Sequence, residues 1–157
     1  MIIKIVCVGK LKEDFYKKAQ AEYSKMLGRF CEVLIEELQD EPLCNVKGDK
    51  AEAAVRDTEG LRILSKCSGY VIACDAQGKK FTSEAFSQKI SDVMIRGDST
   101  ICFVVGGSVG LSQAVLKRAD LKLSFSDMIL PHRLFRIVLL EQVFRAFKIL
   151  NNETYHK

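Results

Sequence analysis

Apolar and polar residues alternate along this chain with two different periods, and the changes of period predict its strands and helices. Short runs rich in Ile, Val and Leu predict five strands, at 2–8, 31–38, 70–74, 100–105 and 121–125. Apolar residues at three- and four-residue spacing predict five helices, at 13–27, 49–66, 83–96, 113–119 and 134–151. Because strands and helices alternate, we expect one α/β domain over residues 1–157, with a mostly parallel sheet flanked by helices.

Two of these strands carry more specific patterns. The segment 31–38 alternates aliphatic residues with glutamates, which is typical of a strand near the edge of a sheet. The run 70–74 is apolar throughout, which predicts a strand buried on both faces. The dipeptide Gln77-Gly78 then predicts a turn, so we expect this strand to end near Cys74.

The final helix is apolar around most of its circumference. At about 100° per residue, Glu141, Arg145 and Lys148 form one polar stripe, and Arg136 stands alone on the far side. A sheet can cover only one face of such a helix, so the other apolar face needs a second cover. We expect that cover to come from a second subunit, in a homodimer. The alternative is that other helices of the same chain cover it.

Composition and charge place few limits on the function. The chain has 157 residues, 48% hydrophobic and 28% charged, which is ordinary for a globular domain. Its net charge is +4, but residues 1–78 carry 12 basic and 13 acidic residues, whereas residues 79–157 carry 12 and 7. The basic C-terminal half permits a polyanionic partner without requiring one.

The six cysteines form no CxxC pair, and most lie within apolar runs. We therefore interpret them as reduced core residues of a cytoplasmic protein, and we expect no disulfide framework and no metal site. No apolar stretch approaches the roughly 20 residues of a membrane-spanning helix, and the N-terminal segment does not read as a signal peptide.

A glycine-rich loop follows the fourth predicted strand. Gly106, Gly107 and Gly110 do not match the dinucleotide-binding fingerprint, because Ser108 occupies a position where that pattern needs glycine. No phosphate-binding P-loop occurs either. Asp127 follows the next strand and resembles a ribose-binding acid, so a nicotinamide-binding oxidoreductase stays open as an alternative. A glycine turn that only packs beneath a helix is also possible.

Three predicted strands end in segments suited to a ligand site. Cys74, Gly106 and Phe125 lie at or beside these carboxyl ends, which meet at one rim if the strands are parallel. The loop 125–130 is unusually apolar, as a loop that wraps a flat group such as adenine would be. The alternative is that the side chains of 128–130 fill the core.

The two histidines, His132 and His156, lie at different ends of the final helix and form no Ser-His-Asp or metal-binding pattern. A lone histidine is more often structural than catalytic. Tyr155, His156 and Lys157 end the chain, as a frayed tail would. A phenol, an imidazole and an ammonium group also suit the recognition of a flipped-out RNA base.

Six short motifs in this order closely resemble the bacterial ribosomal large-subunit methyltransferase H family, a minimal branch of the SPOUT class of RNA methyltransferases. The motifs are Val8-Gly9-Lys10, Glu59-Gly60, Gly106-Gly107-x-x-Gly110-Leu111, Leu130-Pro131-His132, Glu141-Gln142-Val143-Phe144-Arg145-Ala146 and Tyr155-His156-Lys157. The resemblance covers essentially the whole chain. It implies a C-terminal trefoil knot and a homodimer, neither of which composition or periodicity would reveal.

The resemblance also implies an S-adenosyl-L-methionine (SAM) site in the knot. By position, the cofactor contacts fall on Cys74, Gly106, Phe125, Ser126, Asp127, Met128, Ile129 and Leu130. The chain departs from the family where Cys74 replaces an aliphatic residue and where Ser108-Val109 replace Pro-Glu. We expect these departures to change the packing of the pocket and to preserve cofactor binding.

The implied reaction is methylation of N3 of a pseudouridine in large-subunit ribosomal RNA, with the assembled ribosome as substrate. We expect the catalytic residues to be Arg145, Tyr155 and His156, with His156 the candidate general base. The expected RNA contacts are Arg133, Arg136 and Lys148. Besides the oxidoreductase, a non-catalytic ribosome-associated dimer stays open as an alternative.

Overall fold

The computed structural model describes residues 1–42 and 48–155, and it shows ten elements that alternate between strand and helix. The strands are β1 (Ile2–Val8), β2 (Glu32–Leu38), β3 (Tyr70–Lys80), β4 (Thr100–Val105) and β5 (Leu121–Ser124). The helices are α1 (Asp14–Leu27), α2 (Asp49–Leu64), α3 (Ser83–Ile95), α4 (Gln113–Arg118) and α5 (His132–Leu150). Element types agree with the sequence-based expectation throughout, and most boundaries differ by no more than two residues.

The five strands form one sheet in the order β2-β1-β4-β3-β5, and every pair is parallel. Parallel neighbours need crossover connections, and each connection here contains a helix. The prediction that β2 lies at an edge is confirmed, and β5 forms the other edge. Apolar β4 lies at the centre of the sheet, where both of its faces are covered.

Two apolar layers cover the faces of the sheet. On one face, Ile101 and Phe103 of β4 join a cluster with side chains of α1, α3 and α5. On the other face, Cys102 and Val104 contact a smaller cluster that includes residues of α2 and α4. Successive side chains of a strand point to opposite faces, so one apolar strand contributes to both layers.

Strand β3 is longer than predicted. The predicted turn at Gln77-Gly78 is wrong, because both residues belong to a strand that continues to Lys80. The register between β3 and β5 shifts between Cys74 and Lys79, so the extra segment pairs with β5 after an irregularity. Glycine is required at 78, because a Cβ there would lie 2.6 Å from the carbonyl carbon of Leu123.

Helix α5 is covered largely by its own chain. Phe30, just after α1, stacks on Phe147 with ring centroids 5.8 Å apart, and the hydroxyl of Ser87 on α3 donates to the Ala146 carbonyl at 3.0 Å. Other parts of the same chain therefore cover much of the second face of α5, as the alternative to a homodimer proposed. Four apolar side chains at its N-terminal end stay partly exposed: Leu134, Phe135, Ile137 and Val138.

The cysteines behave as small core residues where they are described. Cys7, Cys31 and Cys102 are buried and free, and Cys67 and Cys74 are free and half-buried. Cys44 lies outside the described residues. No helix in the described ranges is long and apolar enough to cross a membrane. The trefoil knot that the resemblance implies stays a prediction.

Candidate functional site

The carboxyl ends of β3, β4 and β5 meet around a cavity of about 410 Å³. The prediction that these three strand ends share one rim is confirmed, because all three strands are parallel and their ends line the same cavity. Seven of the eight residues expected to contact the cofactor line it: Cys74, Gly106, Phe125, Ser126, Met128, Ile129 and Leu130. Their role in ligand binding stays a prediction.

Asp127 is the exception among the eight. Its side chain is largely exposed and forms an ion pair with Lys80 at the end of β3. It is absent from the lining of the cavity. From the sequence, a nicotinamide site in which this carboxylate binds a ribose was an open alternative. The position of Asp127 outside the cavity lining counts against that alternative.

The apolar loop after β5 lies open on the surface. Met128 is 78% exposed and Ile129 is 89% exposed, so these two side chains do not fill the core. Hydrogen bonds among serines shape the loop: the Ser124 hydroxyl donates to the Ser126 carbonyl at 3.1 Å, and the Ser126 hydroxyl accepts from the Met128 amide at 2.9 Å. The loop is therefore a preformed wall with exposed apolar side chains beside the cavity.

Aromatic packing fixes the base of this loop. Phe125 stacks on Phe135 of α5 with centroids 4.9 Å apart, and it meets Phe86 of α3 edge-on at 6.3 Å. Both Phe125 and Phe135 line the cavity. These contacts join the base of the loop to the first turn of α5.

The glycine loop forms the opposite wall. Gly107 and Gly110 form an isolated antiparallel bridge, and Gly110 has φ +82°, a conformation that favours glycine. A Cβ on Gly106 would lie 3.0 Å from the Gly110 carbonyl group and from the side chain of Leu111. The chain therefore folds back on itself in a turn that side chains at these positions would disturb.

Helix α2 supports the glycine loop from behind. Arg56 donates to the carbonyl oxygen of Val109 at 3.3 Å. A Cβ on Gly107 would lie 2.9 Å from the carboxylate of Glu59, and a Cβ on Gly60 would lie 2.2 Å from the Ser112 hydroxyl oxygen. Positions 56, 59 and 60 share one face of a helix, so a single face of α2 holds the loop.

Glu59 is a functional candidate that sequence reasoning did not single out as an individual residue. It is 3% exposed, and its Oε1 accepts from the Glu41 amide at 3.0 Å, whereas its Oε2 has no hydrogen-bond partner among the described residues. Burial raises the pKa of this carboxyl group. Its spacing was the available signal, because Glu59 stands four residues from each of the buried residues Val55 and Ile63.

His132, which the sequence suggested is more often structural, lies at the N-terminal end of α5 and lines the cavity. Burial lowers its pKa, and the neighbouring positive charges of Arg133 and Arg136 lower it further. The imidazole is therefore neutral at neutral pH and available to accept a proton.

Arg145 and Tyr155, two of the expected catalytic residues, lie far from this cavity along α5. Arg145 is 13 positions beyond His132, which corresponds to about 20 Å of helix. Its guanidinium pairs with Glu141 and lies 4.7 Å from the ring centroid of Tyr155. The tail beyond α5 therefore folds back onto the helix, although His156 lies outside the described residues.

The three expected RNA contacts have different environments. Lys148 pairs with Glu153 of the tail, and Arg133 pairs with Glu13. Arg136 is only 1% exposed, and it binds Glu37 of β2 and the carbonyl oxygen of Gly9. Arg136 thus joins α5 to the sheet and has no surface to offer RNA in this arrangement.

The chain has relatives of its own length. It is 52% identical to ribosomal RNA large subunit methyltransferase H 1 of Clostridium perfringens strain SM101, over 159 residues that cover 100% of both chains. It is 51% identical to ribosomal RNA large subunit methyltransferase H of Clostridium acetobutylicum, also over 100% of both chains.

Solved structures with the same fold are more distant in sequence. A Haemophilus influenzae protein described as a methylase family member has a TM-score of 0.56 at 16% identity, covering 99% of this chain and 70% of that one. A Legionella pneumophila protein described as a methyltransferase, solved with SAM bound, has a TM-score of 0.50 at 16% identity, covering 94% and 66%.

The family profile described as a predicted SPOUT methyltransferase matches residues 1–156, which is nearly the whole chain. Together with the relatives of equal length, this match shows the family directly. The chain belongs to the SPOUT methyltransferase family.

Proposed function

We propose that this protein is a SAM-dependent methyltransferase that methylates N3 of a pseudouridine in large-subunit ribosomal RNA. Its substrate is the assembled ribosome in the cytoplasm. The observation that carries the proposal is the cavity at the carboxyl edge of the sheet, walled by the glycine loop and by the apolar loop after β5. The relatives named for ribosomal RNA methylation support the choice of substrate.

The cavity fits SAM in its chemistry. Gly106 lines the cavity and has no side chain, so a ligand can approach its peptide groups closely. The loop from Phe125 to Leu130 offers backbone polar groups beside apolar side chains, which suits a flat adenine with polar edges. When bound, SAM supplies the electrophilic methyl group, and the residues around it hold and orient the reactants.

The distance between the two ends of α5 supports a homodimer. Within one chain, the cavity and Arg145 are about 20 Å apart along the helix, which is too far for both to act on one methyl transfer. A second copy can bring its own Arg145 and Tyr155 to the cavity. Leu134, Ile137 and Val138 are apolar and half-buried on α5 between the two ends, so they offer a surface for that second copy.

Basic residues near the C-terminus are the proposed RNA contacts. Arg133, Arg145 and Lys148 each pair with a carboxylate. An RNA phosphate can take the place of such a partner, because both are singly charged anions with two acceptor oxygens. Tyr155 supplies a ring on which an unstacked base can rest, with His156 beside it in the chain. We assign Arg136 to holding the fold, since its charge is used inside the protein.

The reaction requires N3 of the base to lose its proton and attack the methyl carbon in line with the departing sulfur. Arg145 favours the electron-rich form of the base, because a guanidinium stabilises a developing negative charge. Tyr155 orients the base. In this arrangement, the chain contributes positioning and electrostatics.

The proposal is tested with radiolabelled SAM and ribosomes that lack the modification. We expect label on one pseudouridine of the large-subunit RNA with assembled ribosomes, and little label on free RNA or separated subunits. Cofactor binding without label on any ribosomal RNA would contradict the proposed reaction. Ribosome binding with no methyl transfer would favour a non-catalytic ribosome-associated dimer, and binding of a nicotinamide cofactor would favour an oxidoreductase.

A matched pair of variants tests the assigned role of Arg145. Arg145→Ala should reduce methylation by about 100-fold while changing the SAM dissociation constant less than about twofold. Lys117→Ala removes one positive charge from α4, on the opposite face of the sheet, and should leave both quantities unchanged. Equal loss of methylation and cofactor binding in Arg145→Ala would refute its role at the base.

A further inference from the structure

His132 combines a place in the cavity wall with unused hydrogen-bonding capacity. It lines the same cavity as Gly106 and Ser126. Neither of its ring nitrogens has a hydrogen-bond partner within residues 1–42 and 48–155. A half-buried imidazole whose ring nitrogens have no hydrogen-bond partner among the described residues can accept or donate a hydrogen bond to a ligand in the cavity.

The backbone around His132 holds its ring at the rim of the cavity. Its Nε2 would lie 3.7 Å from a Cβ built on Gly9, so the ring packs against the turn that ends β1. Gly9 has φ +84°, which favours glycine, and its carbonyl oxygen accepts from the buried guanidinium of Arg136 at 2.8 Å. Arg136 therefore fixes both the first turn of α5 and the surface on which the His132 ring rests.

The charges that face His132 keep the ring neutral. Burial is the largest cause of its lowered pKa, followed by the positive charges of Arg133 and Arg136 on its own helix. Asp40, beyond β2, and Glu13, before α1, act in the opposite direction and are outweighed. A neutral imidazole at physiological pH can accept a proton, as a general base must.

We propose that His132 is the general base that takes the N3 proton of the target pseudouridine, an inference that rests on the proposed methyl transfer. A ring nitrogen of His132 accepts the N3 proton while the N3 electron pair forms a bond to the methyl carbon of SAM. The bond between that carbon and sulfur breaks, and its electron pair stays on sulfur, giving S-adenosylhomocysteine. The imidazolium then releases its proton to solvent through its exposed side.

This assignment differs from the one expected from sequence, in which His156 was the candidate base. The other titratable side chains of the cavity wall are Cys74 and Asp75. Burial raises the pKa of the Cys74 thiol, so it stays protonated and is unsuited to accept a proton. Asp75 is the rival that an experiment must separate from His132.

The test compares His132→Gln with the wild type in single-turnover methylation of assembled ribosomes between pH 5.5 and 9. Glutamine keeps a polar side chain and removes the titrating ring. We expect a loss of about 100-fold at pH 7, with the SAM dissociation constant within about threefold of the wild-type value. The wild-type rate should rise through a titration below the usual pKa of histidine, and this step should disappear in the variant.

Chemical rescue separates a proton acceptor from a structural residue. In His132→Ala, added imidazole should restore a substantial part of the methylation rate, whereas it should leave Arg145→Ala unchanged. Circular dichroism checks that each variant is folded, and His132→Gln carries the test if His132→Ala is not.

Three results would overturn the assignment: His132→Gln as active as the wild type, an unchanged pH profile, or the same pH step lost in Asp75→Asn in place of His132→Gln. A wild-type protein that transfers no methyl group to ribosomes would overturn the proposed function and this inference together. Methylation by the wild type with an equally fast His132→Gln would overturn this inference alone.

Discussion

Gly60 on α2 lies against Ser112, the N-cap residue of α4, so closely that a Cβ at position 60 would stand 2.2 Å from the serine hydroxyl oxygen and 2.9 Å from its Cβ. The same hydroxyl caps α4 by accepting from the Val115 amide at 3.4 Å. This contact brings α2 directly behind the glycine loop, which ends just before Ser112. The close approach of two helices therefore determines the position of one wall of the cavity.

Gly60→Ala should lower the free energy of unfolding by about 1–3 kcal/mol, because the added methyl group overpacks this contact. Ser112→Ala alone should cost about 0.5–2 kcal/mol through the lost cap. The double variant should be more stable than the sum of the two losses predicts, since removal of the hydroxyl relieves the closest clash. Urea denaturation at one fixed protein concentration measures the free energy of unfolding of all three variants. If the losses in the two single variants simply add up in the double variant, the proposed contact between the two residues is wrong.

Glu37 and Arg136 form an ion pair between β2 and α5 that also holds the turn after β1. Glu37→Leu should destabilise the protein by about 3–5 kcal/mol, because it leaves the buried guanidinium of Arg136 without a counter-charge. Glu37→Gln should recover part of this loss, since an amide oxygen can still accept from Arg136 and from the Leu11 amide, now 3.1 Å from the carboxylate. Thermal unfolding of both variants and of the wild type measures these losses. Equal stability of Glu37→Leu and the wild type would contradict the role of this ion pair.

Glu59 should make stability depend on pH in a characteristic direction. Its folded-state pKa is raised by burial, so the folded protein binds the proton more tightly than the unfolded chain does. Below the pKa of this carboxyl group in the unfolded chain, near 4.5, the protonated group makes its full contribution to the free energy of unfolding. That contribution is lost as the pH rises through the higher pKa of the group in the folded protein. Relative to the wild type, Glu59→Gln should therefore gain stability between pH 4 and neutrality.

The exposed Glu22 supplies the control for that measurement. Glu22→Gln removes a carboxyl group from the surface of α1 and should follow the wild-type pH dependence. Chemical denaturation at a series of pH values measures the free energy of unfolding of the wild type, Glu59→Gln and Glu22→Gln. A difference between Glu59→Gln and wild type that does not change with pH would contradict the assigned burial effect.

Substitutions in the cavity wall and at Asp127 should differ in their effects on SAM binding. Asp127→Asn should change the SAM dissociation constant by less than about twofold, because the carboxylate pairs with Lys80 outside the cavity. Gly106→Ala should weaken SAM binding by roughly tenfold or more, since its Cβ would crowd the Gly110 carbonyl. Isothermal titration calorimetry gives both values. Strong loss of binding in Asp127→Asn alone would place the carboxylate in the site.

Much of the fold was predictable because its signals are local. The apolar run at 100–105 predicted the bounds of β4, and its lack of charged residues suits a strand that is buried on both faces. The end of β3 was not predictable, because residues 75–80 are mostly polar and their pairing depends on where β5 lies. Thr82 and Ser112 cap their helices, because each side-chain oxygen accepts from a backbone amide of the first turn.

The rim of the candidate site was also readable from sequence, because parallel strands bring their carboxyl ends to one edge. The residues that support this rim could not be identified from the sequence. Glu59 contacts a loop almost fifty residues away in sequence, and Arg136 pairs with a carboxylate 99 residues away. Arg136 was visible as an isolated charge on an apolar helix, and Glu59 as a charge four residues from the buried Val55 and Ile63. The partner of each charge depends on how the helices pack.

By itself, the sequence determined the alternation of strands and helices, the parallel sheet, the glycine turn and the family, because these depend on spacing along the chain. Only the tertiary structure decided that Asp127 lies outside the lining of the cavity, that Arg136 is buried, and that His132 lies in the cavity wall. These outcomes depend on which elements pack together in space. The energy of a charge is determined by its neighbours and its burial, and neither is written in the local pattern.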